Sequence, residues 1–198
     1  MKKNKTTFIL ILFFFIGLAI LFYPTLSDYT NKKLQSRAIT SYEDLLKDIE
    51  EVDYVKYFNE GIHYNEQLKG LDYPLVDYKK VKGYTKIFNV DGEGMMGYIT
   101  IPKISVELPI YHGTSAHVLN TSVGHLEGTS FPTGTIGTHA VFSAHTGLPS
   151  AKLFTSLDKL EIGDNFTIKV YDKSLSYEVD QILIVKPNET DALKIEQD

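Results

Sequence analysis

From Thr6 to Tyr23 the chain reads TTFILILFFFIGLAILFY, a run with no charged residue and a single glycine, Gly17. Nothing else in the sequence restricts the fold as much, because such a run has no polar face to turn toward water. At 1.5 Å per residue, a helix of about 18 residues is about 27 Å long, just enough to cross a hydrocarbon core. Lys2, Lys3 and Lys5 stand before the run and no basic residue lies within it, which places the N-terminus in the cytoplasm. A cleaved export signal is the competing reading, but it calls for a shorter apolar core and a small-x-small site. Phe22, Tyr23 and Pro24 follow instead, and Thr25-Leu26-Ser27 is a poor cleavage match. Residues 1–24 are therefore expected to form a cytoplasmic stub and a single-pass signal-anchor, with the main body outside the cell membrane.

Composition agrees with an exported body and removes several chemistries. The chain has no cysteine, so among residues 1–198 there are no disulfides, thiolate nucleophiles, zinc–thiolate sites or iron–sulfur clusters. Lys+Arg is 20 against Asp+Glu 25, and three of those lysines precede the anchor, so the body is acidic. An acidic body argues against nucleic acid as a partner.

Beyond the anchor the hydrophobic period changes twice. Ser27 to about Gly70 reads as helix, with Leu34, Ala38, Tyr42, Leu45, Leu46, Ile49, Val52 and Val55 recurring at mostly three- and four-residue steps. Ser41 is a candidate cap for a second helix, with Asp44 three residues on. Pro74 to Gly97 is rich in lysine and glycine and reads as a connector with turns. Asp91 and Glu93 among glycines resemble a calcium loop only faintly, since the full spacing is missing. After Gly97 the period is two. Strands are expected at Tyr98–Ile101, Val106–Tyr111, Ala140–Ser143, Phe166–Tyr171 and Leu175–Val179, the last running on into Ile182–Val185. Asp172-Lys173-Ser174 is the expected hairpin turn, and residues 151–160 are expected to hold one short helix. The organisation is thus an anchor (1–24), a helical region with a linker or possible lid (25–96), and a mainly β barrel or sandwich (97–198).

Six histidines carry what acid–base chemistry the chain offers: His63, His112, His117, His125, His139 and His145. No His-x-x-x-His pair lies on an expected helix, and a metal site would require His125, His139 and His145 to converge in space. His145 stands out because it ends the apolar strand Val141-Phe142-Ser143-Ala144 and precedes the turn Thr146-Gly147-Leu148-Pro149. A histidine at an open strand end is placed to exchange a proton near neutral pH. Ser143 and Ser150 are nearby, but there is no Gly-x-Ser-x-Gly elbow to make either a nucleophile.

Three ordered blocks carry a family resemblance. Gly97-Tyr98-Ile99-Thr100-Ile101-Pro102-Lys103-Ile104, followed by Leu108-Pro109-Ile110-Tyr111-His112-Gly113-Thr114, resembles the first strands of sortases. Val123-Gly124-His125-Leu126-Glu127-Gly128-Thr129-Ser130 is similar to the next part of the class C, pilus-assembling branch. Ser143-Ala144-His145-Thr146-Gly147-Leu148-Pro149-Ser150-Ala151-Lys152-Leu153-Phe154 is similar to that branch's block around its catalytic histidine. The likeness runs from about residue 28 to the end. The long helical segment and the Gly-Leu-Pro-Ser-Ala-Lys string favour class C over other sortase classes.

The resemblance implies a membrane-anchored transpeptidase of Gram-positive bacteria acting on LPXTG-type pilin or surface proteins. In the family a cysteine thiolate attacks the Thr–Gly bond, a histidine handles the proton of the amine, and an arginine stabilises the oxyanion or aligns the substrate. His145 matches the histidine. The family's cysteine and arginine strands come after the point at which this sequence stops, and Arg37 lies in the helical region rather than at the matching position. The expectation is a sortase-type barrel truncated before its last strands and inactive as written. The alternative is a non-catalytic anchored β-domain that binds pilin or cell-wall components. The resemblance implies no metal or organic cofactor and names no substrate-binding residue. Class C enzymes commonly carry an Asp-Pro-aromatic lid before the barrel; here Asp72-Tyr73-Pro74, then Asp77-Tyr78, reads as linker rather than lid.

Overall fold

A computed structural model describes residues 2–186 and 188–195. The N-terminal half is helical. Helix α1 (Lys2–Leu46) carries the apolar run and continues past it, with Pro24 inside the helix. Its 45 residues span about 67 Å. Proline donates no N–H, so the carbonyl one turn back, on Ile20, loses its helical partner. The apolar part of α1 is long and hydrophobic enough to cross a membrane, and none of it is buried against the protein. A turn through residues 47–49 leads to α2 (Glu51–Lys69), and a short α3 (Pro74–Asp77) follows. Ser41 lies in the interior of α1 and caps nothing.

The buried stripe of the helices includes the expected Tyr42 and Leu46, with Ala38 and Ile49 half-buried against the core, and departs from the expectation elsewhere. Leu34 is 54% exposed and Leu45 and Val55 also face solvent, whereas Gln35, Ile39, Tyr42 and Leu46 are buried. Polar residues hold the outer part of that stripe because they meet backbone carbonyls and amides rather than side chains. Gln35 Nε2 donates to Thr121 O at 2.6 Å, and Asn31 Nδ2 donates to Ser150 O at 2.7 Å.

The C-terminal half is a half-barrel built on one six-stranded sheet. Its strands are β1 (Met95–Ile101), β2 (Val106–His112), β3 (Val123–His125), β4 (Phe142–Ser143), β5 (Asn165–Val170) and β6 (Lys173–Glu178), in the spatial order β4-β3-β2-β1-β5-β6. All pairings are antiparallel except β2 with β3, which are joined through the single-turn helix α4 (Ala116–Leu119). The β1–β5 pairing explains Gly97: a Cβ there would lie 2.0 Å from Lys169 O, so only glycine lets the two backbones approach. Residues 181–186 form no strand, and Ile184 is fully exposed. Residues 151–160 hold turns and a 3-10 turn at Leu157–Lys159 in place of the expected helix.

Tyr42 locks the helices to the sheet. Its hydroxyl donates to Met96 O at 3.0 Å and accepts from Tyr171 N at 2.8 Å, and burial raises its pKa. Tyr171 and Asp172 form the β5–β6 turn, one residue earlier than expected. Tyr171 has φ +49°, a left-handed conformation that a tyrosine adopts only when its surroundings hold it. Here the Tyr42 bond and a stacked Tyr57, 5.1 Å between ring centroids, supply the hold.

The segment expected to be a polar connector is part of the core. Val81, Tyr84, Ile87 and Phe88 are buried, and the rings of Tyr84 and Phe88 join Phe58, Tyr64 and Phe131 in an aromatic cluster between α2 and the sheet. Asn65 of α2 pairs with the backbone of Phe131 on both sides, donating to its carbonyl at 3.0 Å and accepting from its N–H at 2.7 Å. An amide side chain can satisfy both groups of one residue in this way, as a neighbouring strand would.

Candidate active site

His145 lies two residues beyond β4 and is exposed. Among the described residues no hydrogen-bond partner engages its ring. Its backbone is fixed by the loop after it: Phe154 N–H donates to His145 O at 3.2 Å, Gly147 N–H donates to Thr155 Oγ1 at 3.0 Å, and Leu148 bridges to Ala151. Ala151, Leu153 and Phe154 are buried, which anchors the far side of this loop in the core. An open ring on a pinned backbone can both take and give a proton without first breaking a bond.

Beside β4 a groove of about 570 Å³ runs over the sheet face, lined by His139, Phe142, Phe166, Ile168, Tyr177 and neighbouring residues. Phe166 and Tyr177 stack across it at 5.3 Å. His145 is not among the lining residues.

His125, at the end of β3, has the opposite setting. It is 0% exposed, stacked on Phe131 at 5.2 Å and flanked by Tyr84 and Phe142. Its Nε2 faces Ser130 O at 2.9 Å, so that nitrogen carries the proton and Nδ1 accepts from Tyr84 Oη at 3.0 Å. Burial lowers its pKa to about 4, leaving the ring neutral. The Tyr84 hydroxyl shares its one hydrogen between His125 Nδ1 and His125 O, each 3.0 Å away, and accepts from Gly113 N–H, tying the expected connector to β2 and β3. His112 is half-buried, with its ring nitrogens 2.9 Å from Gly94 O and 2.8 Å from Ile87 O, and partial burial lowers its pKa.

The three histidines that would have to converge do not. His125 is in the core, His139 Nδ1 bonds to Lys194 O at 2.8 Å, and His145 is open to solvent. Among the described residues no cluster of three metal-binding side chains is present. Ser143 and Ser150 are half-buried, and the latter's carbonyl is taken by Asn31. Arg37 lies on α1. The Asp72-Tyr73-Pro74 segment rests on the loop after β3. A Cβ on Gly128, which has φ +87°, would lie 2.8 Å from Leu75 Cα and from Pro74 O. Tyr73 itself is 70% exposed and stands at the wall of a cavity of about 470 Å³ shared with Leu71, Pro74, Leu75 and Ile195.

Residues 99–198 match the family model described as the sortase domain, half of the chain, and the chain belongs to the sortase family. Within it, the structural likeness is to class C. Sortase C1 of Streptococcus agalactiae is 43% identical, with a TM-score of 0.71 over 79% of this chain and 82% of that one. Sortase C of Streptococcus pneumoniae is 34% identical, with a TM-score of 0.69 over 81% and 82%. Sortase D of Bacillus subtilis (strain 168) is 31% identical over 104 residues, and the match spans about half of that protein, 48% of its length.

Proposed function

We propose that this chain carries the proton-transfer part of a pilus-assembling class C sortase site, with His145 as the residue that handles the proton. In the reaction the family performs, a thiolate attacks the Thr–Gly carbonyl of an LPXTG-type sorting signal. The departing glycine amine takes a proton from the histidine, and an incoming amine returns one as it displaces the thiol. The observation that carries the reading is His145 itself: a solvent-open imidazole at the end of β4, on a backbone held by Phe154, in a chain similar to class C sortases.

Residues 1–198 contain no cysteine, and no other side chain combines a thiol's nucleophilicity with its leaving ability. The polypeptide of residues 1–198 is therefore inactive in transpeptidation. The second reading is an anchored β-domain that binds pilin or wall components without turnover. Residues 6–23 cross the membrane with the N-terminus inside, the body faces outward, and the parts are the anchor (1–24), the helical region (25–96) and the barrel portion (97–198).

The test is a quenched LPXTG-type peptide added to the full chain in lipid nanodiscs, read by fluorescence and by NMR. The expected result is no cleavage, with peptide-induced shifts confined to residues around the groove and His145. Measurable turnover would overturn the inactivity, and shifts that spare residues 142–154 would overturn the role of His145.

A further inference from the structure

Helix α1 is held to the half-barrel in two different ways. Toward its C-terminal end Ile39, Tyr42 and Leu46 are buried against the core. Toward the apolar run the helix stands off the sheet across a polar groove of about 440 Å³, lined by Asp28, Lys32, Gln35, Lys152, Leu153 and Ser156 among others. Side-chain-to-backbone hydrogen bonds bridge that groove, and two of them go to the loop after His145. Asn31 Nδ2 donates to Ser150 O at 2.7 Å, and Lys152 N–H donates to Asp28 Oδ1 at 3.0 Å. The Asp28 side chain is only 15% exposed and is paired with Lys32 at 3.3 Å, one turn along the same helix. Two residues beyond Lys152, the Phe154 N–H holds the His145 carbonyl. A short chain of bonded groups thus links α1 to the backbone of His145.

We propose that Asp28 and Asn31 are positioning residues, which fix the His145 loop to the helix that runs on from the apolar segment. Asn31 lies eight residues past Tyr23, so the loop is held about 12 Å along the helix from the end of the apolar run. The anchor then does more than tether: it sets where the imidazole stands relative to the membrane side of the molecule. The catalytic meaning of this device rests on the proposed role of His145; the device itself does not.

The experiment uses the full chain in lipid nanodiscs, following amide hydrogen exchange and the His145 ring resonances. Asp28→Ala and Asn31→Ala, combined, are expected to speed exchange at Lys152 and Phe154 on the order of tenfold, while Ile99 and Ile168 keep their rates. The His145 ring signal broadens or splits in the same variant. Asp28→Asn retains Oδ1 as an acceptor and is expected to restore both readouts when Asn31 is intact. Unchanged exchange at Lys152 and Phe154, or an unchanged His145 signal, would overturn the proposal. So would equal acceleration at Ile99 and Ile168, or failure of Asp28→Asn to restore order. A His145 that ignores the sorting peptide would leave these exchange rates as they are, so the two readings fail separately.

Discussion

β3 and β4 are antiparallel neighbours; β3 ends in His125 and β4 runs the other way toward His145, and the two histidines live in different surroundings. His125 is caged by Tyr84, Phe131 and Ser130, and its tautomer is dictated by the carbonyl it faces. His145 keeps both ring nitrogens open, and only its backbone is constrained. The difference teaches that histidine in this fold is used once as an aromatic wedge with two hydrogen bonds and once as a free acid–base group. Strand geometry alone does not separate them; the loop leaving each strand does. After β3 the chain folds back, so that Ser130 O and Thr129 Oγ1 reach the ring. After β4 it swings outward, and the buried residues are Ala151, Leu153 and Phe154 instead.

The largest way to break the contrast is His125→Ala. It leaves Ser130 O without its partner, takes the ring nitrogen away from Tyr84 Oη, which keeps the carbonyl of residue 125 and Gly113 N–H, and opens a void beneath Phe131. The expected cost is about 4 kcal/mol, read by chemical denaturation of the full chain in detergent. A loss no greater than that of a surface substitution would mean the cage is not structural.

Acidification should give the next largest effect. The folded-state pKa of His125 is depressed to about 4, while the unfolded ring titrates near 6.5. Between those values the unfolded chain binds a proton that the folded chain refuses. Stability is therefore full above about pH 6.5 and falls by about 3 kcal/mol in all as pH drops to about 4. His112, shifted in the same direction, adds to the slope. A stability profile flat between pH 6.5 and 4 would contradict the buried neutral ring.

His145→Ala gives the smallest effect on folding and sharpens the contrast from the other side. Its melting temperature is expected within about 2 °C of the parent, because an open ring loses no packing. A drop as large as that of His125→Ala would show that His145 is a structural residue after all.

Much of the fold is legible in the residues, and the misses have physical reasons. Tyr98–Ile101 and Ile168–Val170 alternate in burial, and Val106–Tyr111 buries Leu108, Pro109 and Ile110 in succession. All three segments are strands whose β-branched and aromatic residues are readable in the sequence. The Tyr84 segment reads as connector because Lys79, Lys80, Lys82 and Gly83 dilute an apolar spacing that Val81, Tyr84, Ile87 and Phe88 still show. The packed face of α1 is read correctly at Tyr42 and Leu46 but escapes a hydrophobic count nearer the apolar run, because Asn31 and Gln35 are polar there and their partners are loop carbonyls that no such count registers. β3 is three residues long, too short for any period, and the burial of His125 depends on rings 41 and 6 positions away, Tyr84 and Phe131. The strand-end position of His145 is local, which is why it can be read from its neighbours.

Among the described residues the sheet ends on an open rim at β6. Among the described residues β6 has a strand neighbour on one side only, so its outer row of N–H and C=O groups is free to bond. Charged side chains commonly guard such a rim by repulsion. Along Lys173–Glu178 the guards are one of each sign, at opposite ends. Laid antiparallel against its own image, the strand would bring Lys173 of one copy opposite Glu178 of the other, so the charges would favour the meeting instead of forbidding it. Dilution should accordingly keep copies of residues 1–198 apart, and concentrating them should favour pairs joined along this rim.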